Sequence, residues 1–216
     1  MMNITTQREI HNTNTFEERW KIKTNTNKFK VIKLGHRTGP HLTVENQRKE
    51  FSNSGKALGL AISTQGYNAN TTERTNRANA ALKTLYRFKD MNTKIKTHLV
   101  KTLILPIIDY PPIPTHALSN KQISKLQKIQ NKSLRFATNQ RYPYTLNTQE
   151  IHENTQTLPV NIRLHNQALK IWNKIETLDI PIFHELIENT ENIQNWNKNF
   201  PSSLTALRNI PQPKFH

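Results

Sequence analysis

The sequence predicts an α+β chain that is predominantly α, with short β-strands on the N-terminal side and helices through the remainder. Two observations carry this reading. The spacing of apolar residues changes from strand-like before residue 64 to a 3.6-residue period from residue 73 onward. The two clearest helical patterns, at 119–138 and 160–178, both fall in the later part.

The elements follow in order. Residues 1–15 are polar and are expected to fray. Thr15 caps a short predicted helix carrying Phe16 and Trp20, with Glu17 and Glu18 well placed in its first turn. "KFKVIKLG" (28–35) alternates apolar residues with lysine and predicts a strand ended by Gly35. Residues 36–50 read as loop, with a further short strand at 41–44. "GKALGLAIS" (55–63) reads as one small-residue strand, and 64–72 as a turn-rich link.

From residue 73, Ala78, Ala81, Leu82, Leu85 and Phe88 share one helical face. Ile95, Leu99, Leu103 and Ile104 continue the pattern until Pro106, which must kink or end the helix. "PPIPTHAL" (111–118) predicts a rigid extended loop, and Ser119 an N-cap. The helix after it has Ile123, Leu126, Leu134 and Ala137 on its dry side, with Ile129 and Phe136 on the flank. Residues 141–159 read as mostly irregular. After Pro159, Leu164, Ala168, Ile171, Trp172 and Ile175 mark another helix, followed by a short one in "PIFHELIE" and an Asn- and Pro-rich tail from residue 189. Trp20 and Trp172 are read as core aromatics.

Composition narrows the function. The net charge is +16, from 31 Lys+Arg against 15 Asp+Glu. Such an excess repels itself unless it meets a polyanion, and nucleic acid is the first candidate. Hydrophobic residues make up 34%, so the core is thin for 216 residues. The absence of cysteine excludes disulfides and thiolate zinc sites and fits an intracellular location, cytoplasm or nucleus. No apolar run is long enough to span a membrane, and the N-terminus lacks the apolar core of a signal peptide.

Several chemistries lack their residues. Asp occurs only at 90, 109 and 179, so no visible cluster of carboxylates holds a pair of Mg²⁺ ions for phosphoryl transfer. The nine His show no helical pair beside a third ligand, and neither a phosphate-binding glycine loop nor a G-x-S-x-G is present. No cofactor is expected in this chain.

The strongest positive signal is "SNKQISKLQKIQNKSLRFAT" (119–138). Lys121, Lys125, Lys128, Lys132 and Arg135 are spaced four, three, four and three. On an α-helix they share an arc of roughly 80°. One face of this helix is therefore dry and the other positive, a pattern suited to neutralising phosphates without reading bases. Arg163, Lys170 and Lys174 form a second, weaker basic stripe.

An ordered set of segments resembles the C-terminal part of a non-LTR (jockey-like, LINE-type) retrotransposon reverse transcriptase. "WKIKTNTNKFKVI" (20–32) is similar to the family's palm segment at Trp20, Ile22, Lys23, Asn25 and Lys28, with Phe29 in place of a small residue. "GKALGLAIS" is similar to the primer-grip strand at Lys56, Leu58, Gly59 and Leu60, with Ala57 replacing an aromatic. "ERTNRANAALKTLYRF" resembles the first thumb helix. Lys101, Pro106, Tyr110, Leu126, Gln127, Gln130, Asn131, Lys132, Leu134 and Arg135 match the stretch that follows, with Pro111 where Gly or Ala is usual.

The resemblance covers roughly residues 16–188 and implies a layout: a disordered 1–15, a partial palm with primer-grip-like strands at 16–70, a helical thumb at 71–140, a post-thumb helical extension at 141–188 and a flexible tail at 189–216. It implies binding of RNA template, DNA primer and their hybrid, with no membrane and no known protein partner. Leu58 and Gly59 would approach the primer end, and Lys28 would take the place of a palm lysine that assists proton transfer to pyrophosphate. The parent enzyme's paired aspartates and their Mg²⁺ would lie before residue 1, so this chain alone is expected to be inactive. Two alternatives stay open: a stand-alone basic RNA- or DNA-binding protein, and a non-functional remnant of a mobile element, to which Phe29, Ala57 and Pro111 would testify.

Overall fold

The strands and helices separate along the chain into two compact units, Met1–Gly66 and Tyr67–His216. The computed structural model describes residues 17–21, 31–32, 42–44, 47–49, 51–57, 60–63, 66–110, 113 and 115–178. Short strands come first and long helices after, so the expected α+β, mainly helical class is what the chain adopts.

In the first unit, residues 17–20 form a single helical turn, α1. Trp20 on it is 59% exposed, not a core aromatic as expected, because one turn cannot build an apolar stripe. Among the described residues six strands pair two by two. β1 (Val31–Ile32) runs parallel to β4 (Phe51–Ser52). β2 (Leu42–Val44) is antiparallel to β3 (Gln47–Lys49), a strand read from sequence as loop.

β5 (Ser54–Ala57) and β6 (Leu60–Ser63) also form an antiparallel hairpin, in the register Ser54↔Ser63, Gly55↔Ile62, Lys56↔Ala61 and Ala57↔Leu60. The single strand expected over 55–63 is thus two. In sequence the two strands merge into one run of small residues, with no Asn-Gly or Asp-Gly to mark a hairpin. Lys28, Leu58 and Gly59 lie outside the described residues.

In the second unit, α2 (Asn68–Leu85) begins five residues before the expected position, inside the stretch read as a turn-rich link. It buries Ala78, Leu82 and Leu85 as expected, and also Asn70, Thr71 and Arg74. A 3₁₀ turn (Tyr86–Phe88) follows and leaves Phe88 exposed.

α3 (Thr93–Leu99), a π turn (Val100–Ile104) and α4 (Leu105–Asp109) run on continuously through Pro106. Proline has no N–H for the preceding turn, and the helix widens there instead of stopping. The buried line is Lys96, Val100, Ile104 and Ile108. Of the expected face, Ile104 is buried and Leu99 half-buried, whereas Ile95 and Leu103 are exposed. A step of four residues, which would drift around an unbroken α-helix, stays on one side because the π turn resets it.

The 3₁₀ turn Thr115–Ala117 lies within the loop before α5 (Asn120–Ala137). Ser119 caps α5 as expected: its Oγ accepts from the Gln122 N–H at 3.3 Å while Gln122 Oε1 accepts from the Ser119 N–H at 2.7 Å. Leu126, Ile129, Leu134, Phe136 and Ala137 are buried, so the two residues expected on the flank belong to the core. α5 packs against α2, α3, α4, α6 (Thr148–Asn154) and α7 (Val160–Thr177), which makes it the central helix. α6 falls where irregular chain was expected. A second capping box starts it, with Asn147 Oδ1 accepting from the Glu150 N–H at 2.9 Å and Glu150 Oε2 from the Asn147 N–H at 2.8 Å. α7 buries Leu164 and Ala168, whereas Ile171 is exposed. The Trp172 and Ile175 side chains, the short helix expected at 181–188 and the tail from 189 lie outside the described residues.

Candidate nucleic-acid interface

The five cations of α5 keep the side that the spacing assigns them. Lys121, Lys125, Lys128 and Lys132 are exposed and Arg135 is half-buried. Among the described residues none of the five is paired with a carboxylate. A row of cations without counter-charges on a rigid helix is what a phosphate backbone requires.

The second stripe does not form in the same way. Arg163 forks onto Asp109, with Nη2 2.7 Å from Oδ1 and Nε 3.1 Å from Oδ2, and its Nη1 donates to the Leu158 carbonyl. Only Lys170 and Lys174 are exposed there. Arg163 was read as a surface cation because its partner sits on another helix.

At the C-terminal end of α5 the stripe enters a cleft of about 410 Å³. Lys128, Lys132 and Arg135 line one wall, joined by Lys89 after α2 and Arg141 in the loop after α5. Tyr86, Phe136 and Tyr144 supply aromatic surface, and no Asp or Glu is among the lining residues. The Arg135 guanidinium lies over the Tyr144 ring, 4.1 Å from its centroid, and Tyr142 meets Tyr144 edge-on at 5.8 Å. A cation on an aromatic face keeps its charge while losing its rotamer freedom. The spacing pattern located the cations but gave no hint of the aromatic wall, which joins Phe136 of α5 to Tyr86 at the end of α2 and Tyr144 in the loop after α5.

Three local devices hold this cleft in shape. Asn139, at φ 59, takes the left-handed position that closes a helix, and the Gln140 N–H returns to the Arg135 carbonyl at 2.9 Å. Gln140 Oε1 accepts from the Thr145 N–H, the Thr145 hydroxyl and the Leu146 N–H at 3.2, 2.7 and 3.2 Å, which curls residues 140–146 around it. Lys96, 0% exposed, donates from Nζ to the Lys89 carbonyl at 3.0 Å and to Asn139 Oδ1, beneath the Phe136 ring. Burial lowers the pKa of this ammonium, and Asp90 partly offsets that.

The polar residues of the L-Q-x-x-Q-N pattern prove to be internal ties. Gln127 Oε1 accepts from the Val160 N–H at 2.9 Å, and its Nε2 donates to Asn131 Oδ1 at 2.7 Å. Gln130 Nε2 donates to the Leu158 carbonyl at 2.8 Å. His152 is buried with Nδ1 2.6 Å from the Thr157 carbonyl and Nε2 3.1 Å from Gln127 Nε2. The contact to a carbonyl assigns the proton to Nδ1, leaving Nε2 to accept from Gln127. Lys101, another residue of the resemblance, donates to the Gln156 carbonyl at 3.3 Å.

No helix among the described residues is long and apolar enough to cross a membrane. No protein-family description, curated protein or solved structure matches this chain.

Proposed function

We propose that this chain binds nucleic acid through the outer face of α5, as the thumb-side part of an RNA-directed DNA polymerase of the non-LTR retrotransposon type. The observation that carries the binding is the row Lys121, Lys125, Lys128, Lys132 and Arg135 on the central, well-capped helix, none of them paired with a carboxylate among the described residues. A helix packed by its neighbours along one side holds such a row at fixed spacing, so phosphates are met without reordering the protein. The ordered sequence segments support the polymerase part of the reading. On that reading RNA template and DNA primer are the partners, and the Mg²⁺-binding aspartates are supplied from outside these residues.

The test is binding of the full chain to an RNA–DNA hybrid, beside K125Q/K132Q. These residues are exposed, so the thermal transition should not move. Affinity should fall about tenfold or more on removal of two phosphate contacts. An unchanged affinity would reject α5 as the binding face. The expectation that the aspartates come from outside these residues fails separately if the purified chain alone extends a primer on an RNA template with Mg²⁺.

A further inference from the structure

The cleft at the end of α5 differs from the rest of the stripe. Lys121 and Lys125 are exposed cations suited to any phosphate backbone. Lys128, Lys132 and Arg135 instead face a concave space with Tyr86 and Tyr144. Its volume, about 410 Å³, lies in the range of sites that take one small organic group. Tyr142 beside it is 86% exposed and Tyr144 is about half exposed, an arrangement that leaves aromatic surface in water next to cations.

We propose that this cleft binds an unpaired nucleotide, so that the preferred ligand of the basic face carries a single-stranded segment. The inference rests on the nucleic-acid reading above and specifies its substrate class. In a duplex each base is stacked on both faces and paired along its edge, so a tyrosine reaches no base face without extrusion. A single strand offers those faces freely, and cationic grooves lined with aromatic rings are the usual way proteins hold it. Lys128, Lys132 and Lys89 meet the phosphates, and Tyr144, already stiffened by the Arg135 stack, meets the base. Among the described residues none of the five cations lining the cleft is paired with a carboxylate, so none must give up a partner to receive the strand.

The experiment measures fluorescence-anisotropy binding of the full chain to three probes: a short oligothymidine strand, the same strand with abasic sites, and a blunt duplex of equal length. The intact strand should bind tightest. Tyr144→Leu should weaken it about tenfold and leave the abasic and duplex affinities unchanged. Lys132→Gln should weaken all three, and the thermal transition of both variants shows that each is folded. Equal affinities for intact and abasic strands, or a Tyr144→Leu effect common to all probes, overturn the inference and leave the nucleic-acid reading standing. Failure of every probe to bind overturns both.

Discussion

Gln127 on α5 accepts a hydrogen bond from the backbone N–H of Val160, the first residue of α7, at 2.9 Å. One helix therefore supplies the cap of another, since Pro159 gives α7 no side-chain capping group. The other end of the same amide binds Asn131 and meets His152 on α6. Three helices thus converge on one side chain.

Removing that amide should cost stability and not binding. Gln127→Leu fills similar space but removes the acceptor of the Val160 N–H. A loss of about 1–3 kcal/mol is expected from an unsatisfied buried group, read by urea denaturation. Nucleic-acid affinity at a temperature where the variant is folded should stay the same, because Gln127 points away from the Lys row.

The Arg163–Asp109 fork joins α7 to α4 and is largely buried, at 13% and 12% side-chain exposure. Gln167 donates to the same carboxylate at 3.3 Å, and Arg74 feels it as well. Burial pushes the Arg74 guanidinium down to about 10, and Asp109 works against that shift. Asp109→Ala should therefore destabilise by about 3–5 kcal/mol, since it strands buried cations. The double variant D109A/R163M should recover part of the loss. A D109A protein as stable as the parent would refute this account of the fork.

Acidification should weaken the helical unit. Burial lowers the pKa of His152 below its ordinary 6.5, as it does that of His165, while the Thr157 carbonyl works in the other direction at His152. The unfolded chain then binds more protons than the folded one between the lowered values and 6.5. Stability is full above that window and falls as pH drops through it. The midpoint temperature should decline between about pH 7 and pH 5, and His152→Gln should make the decline shallower. The same steepness in the variant would exclude His152 as a contributor.

The helices that could be read from sequence were those whose signals are local. Ser119 and the four-three spacing define α5 with no knowledge of its neighbours. α6 carries an equally local capping box, but its seven residues hold only Ile151 as an apolar marker. A single apolar residue gives no period to read. The division between β5 and β6 was hidden because the one glycine between them, Gly59, also reads as an ordinary glycine inside a small-residue strand. Arg163 was read as an ordinary cation, since the carboxylate that pairs with it lies 54 positions away. The candidate site divides in the same way: the cations follow from helical geometry, whereas the aromatic wall depends on how the loop after α5 folds back.

The most direct measurement of the central claim is the salt dependence of duplex binding by the full chain and by K125Q/K128Q/K132Q. If all five α5 cations engage phosphates, log affinity should fall with log salt at a slope of about −4.5, and the triple variant should reduce its magnitude by about 2.7. A slope unchanged by the three substitutions would contradict the account, because the phosphates would then be held elsewhere on the molecule.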